Sequence, residues 1–349
     1  NEEDLANQFI DLGAQLNSSF DQDKSGFSLR TLSEKKSEAI DLFTLVLHKP
    51  NFDGQIIKRE KKRYIASINQ SETMPESIAS KAFMKALYGE HPYSFPSSGE
   101  LKSIKKINKK DLQDFYKNNY LSNELSVVIV GDISRVEAED LAYKISAGFP
   151  ENKRVKAIPL VNYNKPQDIK ISHPSKQAHL YYGAPIIKRG DPDFLTLYLG
   201  NYILGGGGFV SRLTQEIRED RGLAYSVYSY FMPYIEAGPF QIGIQTKKDQ
   251  VNEAKKIIQK TVSEFIKNGP SPKELRRAKD FMIGGFPLRL DSNKSILAYV
   301  SMMAFYKYPL DYLETFTNRI DKITAEEIKS AFQRRVDMSK FSSVIVGSE

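Results

Sequence analysis

Residues 205–230 read GGGGFVSRLTQEIREDRGLAYSVYSY. The four glycines Gly205, Gly206, Gly207 and Gly208 have almost no intrinsic backbone preference. Val210, Leu213 and Ile217 then recur at helical spacing, which predicts a helix carrying Arg218 on its last turn. Gly222 stands just past the last periodic residue, where glycine commonly ends a helix. From Ala224 the period becomes two, with Tyr225, Val227, Ser229 and Phe231 on one face of a strand and Ala224, Ser226, Tyr228 and Tyr230 on the other. Arg218 and Tyr225 flank the turn between helix and strand. No Lys-Ser or Lys-Thr follows the glycines, which excludes a P-loop. An arginine near a helix C-terminus also has a purely structural explanation, since a cation complements the macrodipole. The residues alone leave the structural and the functional reading of the pair open.

Outward from this stretch, the chain reads as two similar series. The first predicts a helix over 2–15, two strands over 16–33 about an Asp23–Gly26 turn, and helices over 33–47 and 52–68. Thr73-Met74-Pro75-Glu76 has capping-box spacing and opens a further helix. After a loop over 91–98 come a helix over 108–116, a continuous apolar strand over 125–130 and a helix over 136–147. Residues 151–166 are polar and proline-bounded, as a linker would be. The second series has strands over 169–171, 178–182 and 240–246, and helices over 192–204 and 250–267. Ser271-Pro272-Lys273-Glu274 combines a capping box with proline at the first helical position. Helices over 294–305 and 324–334 and a strand over 341–346 complete it.

The second series repeats the first. Ile107, Leu112, Val128, Ile129, Val130 and Gly131 recur as Ile323, Ile328, Val344, Ile345, Val346 and Gly347, at a constant offset of 216. Arg59 and Lys61 recur as Arg277 and Lys279 at an offset of 218. The expected organisation is a first domain over 1–150, a linker over 151–166 and a second domain over 167–349. Transferring the offset to the start of the second unit places the start of the first about fifty residues before Asn1, so the first domain is expected to be N-terminally truncated.

The chain has 349 residues, 40% of them hydrophobic, enough for two domains of ordinary size. No apolar run approaches the ~18 residues of a membrane span. With no cysteine, disulfides, thiolate metal sites and a cysteine nucleophile are excluded. A cysteine-free chain suits an oxidising compartment, and a periplasmic or otherwise exported location is the expectation. The net charge of +7 comes from lysine-rich helices such as 58–63 and 102–110. These runs carry no interleaved aromatics and match no nucleic-acid module, so they read as solvated helix faces.

The stretch from Leu204 to Ser229 resembles the second homologous domain of the pitrilysin/insulinase-type zinc peptidases, the inverzincins, whose metal motif is H-x-x-E-H. The resemblance extends more weakly over nearly the whole chain. It implies an α+β fold like that of the mitochondrial processing peptidase, with two homologous domains, each a mostly antiparallel sheet with helices on one face. In that family an Arg and a Tyr seven apart in this motif reach a substrate held at the zinc of another domain. The matching residues are Arg218 and Tyr225; Gly205 to Gly208, four glycines costly to order, are expected to act as a mobile substrate-binding hinge, with a tight packing site needing no Cβ as the alternative.

The metal device itself is missing from the sequence. The four histidines, His48, His91, His173 and His179, include no i, i+4 pair and no H-x-x-E-H in either direction. In active family members a glutamate on a later helix is the third zinc ligand, with another glutamate seven residues before it. The earlier one corresponds to Glu60, but the ligand position is Ser67, a hydroxyl in place of a carboxylate. The resemblance therefore implies a non-catalytic subunit without a cofactor of its own. Its partner would be a homologous zinc-bearing subunit of a heterodimer, at whose zinc a peptide is hydrolysed while Arg218 binds substrate and Tyr225 stabilises the oxyanion. A non-enzymatic peptide- or protein-binding scaffold of the same fold is the alternative.

Overall fold

The computed structural model describes residues 2–151 and 157–348; part of the expected linker lies outside the described residues. In chain order the elements are α1 (Glu2–Asp11), β1 (Gln15–Phe20), β2 (Ser25–Arg30), α2 (Lys36–His48), α3 (Gly54–Ser71), α4 (Pro75–Tyr88), α5 (Leu101–Ile104), α6 (Lys109–Asn119) and α7 (Arg135–Ser146). There follow β3 (Asp168–Ser172), β4 (Gln177–Ile187), α8 (Phe194–Asn201), α9 (Arg212–Thr214), β5 (Ala224–Phe231), β6 (Gly238–Lys247), α10 (Val251–Asn268) and α11 (Pro272–Gly284). The chain closes with α12 (Asn293–Phe305), α13 (Tyr312–Lys322), α14 (Ala325–Arg335) and β7 (Ser342–Ser348). Among the described residues no helix is long and apolar enough to cross a membrane.

The chain folds as two compact units whose limits differ from the two sequence halves. One comprises Asn1–Ala66, Ser97–Ala157 and Arg289–Tyr308; the other comprises Ser67–Pro96, Ile158–Leu288 and Pro309–Glu349. In the first unit β1 and β2 form an antiparallel hairpin. Asp21 Oδ1 accepts from the amides of Asp23 and Lys24 at 2.9 and 3.0 Å, which fixes the turn. The core of this unit is built from Ile40, Phe43 and Leu47 of α2 against Ile145 and Phe149.

The run 125–130, expected as a strand, is not one. Val127 to Val130 are only half-buried, and none of these residues pairs into a sheet. An apolar run becomes a strand only where a neighbouring strand takes up its backbone groups.

The second unit is built on a five-stranded sheet in the order β3-β7-β4-β6-β5. Only the β3–β7 pair is parallel. On one face, Phe231 and Phe240 stack at 4.4 Å, and Phe332 of α14 meets Phe231 and Phe265 of α10 edge-on. On the other face lies α4, where Phe83 stacks on Tyr181 at 5.7 Å beside Val344 and Val346. Helices thus cover both faces of this sheet, α4 being the helix that comes from early in the chain.

The repeat read from the sequence reappears in local structure. Asn108 caps α6 in a box with Asp111, and Thr324 caps α14 in a box with Glu327, each residue displaced by 216. Lys61 donates to the carbonyl of Lys105 at 3.1 Å, and Lys279 donates to that of Asp321, again 216 further on. One lysine–carbonyl tie is therefore built once in each unit. The capping box at Ser271 is formed, with Glu274 accepting from the Ser271 amide at 2.7 Å. The one expected at Thr73 is not: Met74 holds the cap position, and the Thr73 hydroxyl turns back to the Gln70 carbonyl at 2.8 Å. Proline at the first helical position starts α4 without side-chain help.

Candidate functional site

The glycine run is closely packed at Gly205 and Gly207 and open at Gly208. After α8 the chain continues as a π-helical turn over Tyr202–Gly206, a short 3-10 turn over Gly208–Val210, and α9 running into a second π-helical turn over Gln215–Glu219. A Cβ on Gly205 would lie 2.3 Å from Ser229 Oγ, and one on Gly207 would lie 2.6 Å from the Tyr202 carbonyl. Those positions need glycine for close approach. Gly208, with φ +59°, needs it for conformation. Beneath the run, the buried Asn201 and Ser229 are joined twice. Ser229 Oγ donates to Asn201 Oδ1 at 2.6 Å, and Asn201 Nδ2 donates to the Ser229 carbonyl at 2.8 Å. This pair ties the glycine turn to β5.

Ser211 then breaks the helix early. Its backbone is extended, and its buried hydroxyl donates to the Gly208 carbonyl at 2.8 Å. Leu213 and Ile217 are fully buried behind this break, as their spacing predicts. Val210, expected on the same stripe, precedes the break and is 65% exposed, as is its neighbour Phe209 at 67%.

Tyr225 departs from the expected alternation for a different reason. Val227, Ser229 and Phe231 face the core, but Tyr225 is 84% exposed. Ala224 pairs with Thr246 and Ser226 with Gln245, so Tyr225 is the extra residue of a β-bulge. A bulge bends the strand locally and re-aims one side chain. Here it turns the phenol outward on the strand at the end of the sheet.

Three arginines lie in this stretch, and their surroundings separate them. Arg212 donates from Nε and Nη2 to Glu274 at 2.7 and 2.8 Å and from Nη2 to the Gly269 carbonyl at 3.1 Å. Burial pushes the Glu274 carboxyl up, but the bonds from Arg212 and Ser271 overcome it and hold the group at about 2. Arg221 is spent on Glu216, through its carbonyl at 2.6 Å and its carboxylate at 2.7 Å. Arg218 makes no hydrogen bond among the described residues. Its one ionic neighbour is the Glu219 carboxylate, 3.4 Å from Nε. Its guanidinium lies instead over two rings, 4.5 Å from the centroid of Phe209 and 5.0 Å from that of Tyr225. Arg218 and Tyr225 are thus brought together, and Phe209, which the sequence reading passed over, completes the group. The one available signal was an aromatic residue directly after glycines, at a position with no place in the helical stripe.

The residues where zinc would be sought do not fit the ion. Glu60 is taken up by Arg59, at 2.9 Å, and by Arg63, at 3.3 Å, and Ser67 is an exposed hydroxyl on α3. Each histidine has a structural setting. His48 Nε2 donates to the Ile145 carbonyl at 2.8 Å and His91 Nε2 to that of Pro159 at 2.8 Å. His173 Nε2 donates to the Thr73 carbonyl at 3.2 Å, while His179 is buried in β4. Among the described residues no three His, Asp or Glu side chains converge on a metal position.

Fold and site together define a peptidase-like α+β chain with a half-buried arginine packed on an exposed tyrosine and no metal cluster among its described residues. Residues 106–282 match the family profile described as the peptidase M16 inactive domain, and residues 1–99 match that of insulinase, peptidase family M16. A crystal structure of a peptidase M16 inactive domain from Pseudomonas fluorescens is 36% identical, with TM-score 0.95, covering 99% of this chain and 84% of that one. The "non-peptidase homolog YmxG" of Helicobacter pylori is 28% identical over 92% of this chain and 74% of its own length. The structure of a protease from Helicobacter pylori shares the fold at TM-score 0.88 and 17% identity, covering 98% of this chain and 83% of that one. The chain belongs to the peptidase M16, or insulinase, family, as a member of its inactive-domain type.

Proposed function

We propose that this chain is the non-catalytic subunit of a two-subunit peptidase. On this reading it presents Arg218 and Tyr225 to a peptide whose hydrolysis takes place at the zinc of a homologous H-x-x-E-H subunit. The observation that carries the reading is the contrast among the arginines. Arg212 and Arg221 are hydrogen-bonded to Glu274 and Glu216, whereas Arg218 makes no hydrogen bond among the described residues, has Glu219 only at 3.4 Å, and packs on a tyrosine aimed outward by a bulge. Among the described residues β5 pairs with β6 on one side only, so an extended peptide can add to its other edge as a further strand. Arg218 then holds a carbonyl or carboxylate of that peptide with its planar fork. The Tyr225 hydroxyl donates a hydrogen bond to the oxyanion that develops during attack on the scissile carbonyl. The glycine run, folded against Asn201 and Ser229, carries Phe209 to the same place.

The test mixes this chain with the H-x-x-E-H-bearing M16 chain purified from the same cells and follows cleavage of an unstructured peptide. Tyr225→Phe is expected to lower kcat and kcat/KM together by about 10²–10³, because the lost hydrogen bond forms only as charge develops. Arg218→Ala is expected mainly to raise KM, and Arg221→Ala to change little. A kcat within twofold of the parent for Tyr225→Phe, with the complex intact, would refute the catalytic role. The reading as a non-enzymatic peptide-binding scaffold would then stand. The relative named a non-peptidase homolog favours that second reading.

A further inference from the structure

Phe209 is a large apolar side chain that the fold holds out of its core. It sits on the 3-10 turn Gly208–Val210, launched by the positive φ of Gly208, and ends 67% exposed. Burial gives it little stability there. What it touches is the Arg218 guanidinium, whose Cζ lies over the Phe209 ring at 4.5 Å and over the Tyr225 ring at 5.0 Å.

We propose that Phe209 is the positioning residue of the site, holding the Arg218 guanidinium in one plane so that its N–H edge reads a planar carboxylate. This rests on the reading of Arg218 as a substrate-binding group and deepens it by naming the ligand chemistry. An arginine on a surface ordinarily samples many rotamers, and ordering it costs free energy when it binds. A guanidinium held against aromatic rings keeps its N–H edge, which carries all five donors, as the surface for recognition. A carboxylate lying in that plane accepts two parallel hydrogen bonds, the strongest geometry available to an arginine. In the structure the Nε side has only a loose carboxylate neighbour, Glu219, at 3.4 Å and without a hydrogen bond. A peptide carboxylate would take the place of this loose internal partner. Its source is either the free C-terminus of a peptide or an acidic side chain.

Two measurements on the whole chain test the proposal. The first needs no ligand: the Arg218 Nε–Hε order parameter by NMR, assigned with Arg218→Lys. It should fall in Phe209→Ala, recover in Phe209→Trp and stay at the parent value in Val210→Ala, whose side chain is similarly exposed but makes no stack. An unchanged order parameter in Phe209→Ala would overturn the positioning role, whatever binds. The second uses three ten-residue Ala/Ser/Thr peptides: one with a free C-terminal carboxylate, its C-terminal amide, and the amide with one internal glutamate. Carboxylate-bearing peptides should bind more tightly than the plain amide. Phe209→Ala should reduce that preference by about two- to fivefold, the worth of one exposed cation–π contact, and Phe209→Trp should restore it. Comparison of the free-acid peptide with the glutamate peptide identifies the source of the carboxylate. Equal binding of all three peptides would overturn the carboxylate specificity while leaving the peptide-binding reading intact. Binding of none would overturn both that reading and the ligand assignment, with the order parameter still deciding the role of Phe209.

Discussion

Gly205→Ala separates two explanations of the glycine run, a hinge and a packing site. The new Cβ would stand 2.3 Å from Ser229 Oγ, 2.7 Å from Leu213 Cδ1 and 3.0 Å from Ser229 Cβ. None of these atoms is at the free end of a surface side chain, since Leu213 and Ser229 are both buried. Moving Ser229 Oγ away breaks its bond to Asn201 and leaves a buried acceptor unsatisfied, at about 1–3 kcal/mol. Forcing Leu213 off its rotamer costs about 1–3 kcal/mol. Against this, replacing glycine in a helical turn gains about 1 kcal/mol. The net expectation is a loss of about 1–5 kcal/mol, or about 2–20 °C in Tm for a unit of this size. Urea unfolding should show a lower midpoint with an unchanged slope. In a Ser229→Ala background the cost should shrink by about 1 kcal/mol, because part of the clash is with the hydroxyl. A hinge makes the opposite prediction, with Gly205→Ala neutral or stabilising and only activity impaired. Unchanged or raised stability would refute the packing argument.

Two further outcomes concern pH. Burial pushes the His179 imidazole below its ordinary 6.5, opposed by Glu76 and helped by His173, so folded His179 stays neutral where the unfolded chain takes up a proton. Stability should therefore fall as pH drops through about 6.5, and His179→Gln should flatten that part of a Tm-against-pH curve; an unaltered curve would contradict it. Glu274, held at about 2, contributes stability that is complete above its ordinary 4.5 and is lost as pH falls from there toward 2. Glu274→Gln should cost about 1–3 kcal/mol at pH 7, because it leaves the half-buried Arg212 short of its partner. The cost should vanish near pH 2, and a cost independent of pH would show that the pair is not the source.

Much of the framework was legible because it rests on local rules. The Ser271 cap and the presence of a hairpin between the first two strands express interactions between residues close in sequence, although the turn falls at Asp21–Lys24 and not at the expected Asp23–Gly26. What was not legible depends on partners that are distant in sequence. The run 125–130 has the composition of a strand, but pairing is a property of neighbours and not of the run itself. Helix α4 reads as part of the first series, yet it packs on the sheet of the second through Phe83 and Tyr181. The position of Tyr225 could not be read from alternation, because a bulge adds one residue and reverses the side.

The site motif has two layers, and this explains why its sequence reads so densely. The inner layer, Gly205, Asn201, Leu213, Ile217 and Ser229, is buried and makes the close contacts that hold the turn to β5. In the outer layer Phe209 and Tyr225 are exposed, Arg218 is partly covered between them, and none of the three makes a hydrogen bond through its side chain among the described residues. An arginine required only for stability would be placed as Arg212 is, forked on a carboxylate and set over Phe265. Exposed rings around a cation whose one ionic partner, Glu219, stands off at 3.4 Å gain the fold little, since exposed cation–π contacts are worth only about 0.5–1 kcal/mol. Their arrangement is better accounted for by what they can bind than by what they hold together. Substitutions in the inner layer should therefore lower stability and carry function down with it. Substitutions in the outer layer should change binding and rate at constant Tm, and a drop in Tm for Phe209→Ala as large as that for Gly205→Ala would collapse the distinction.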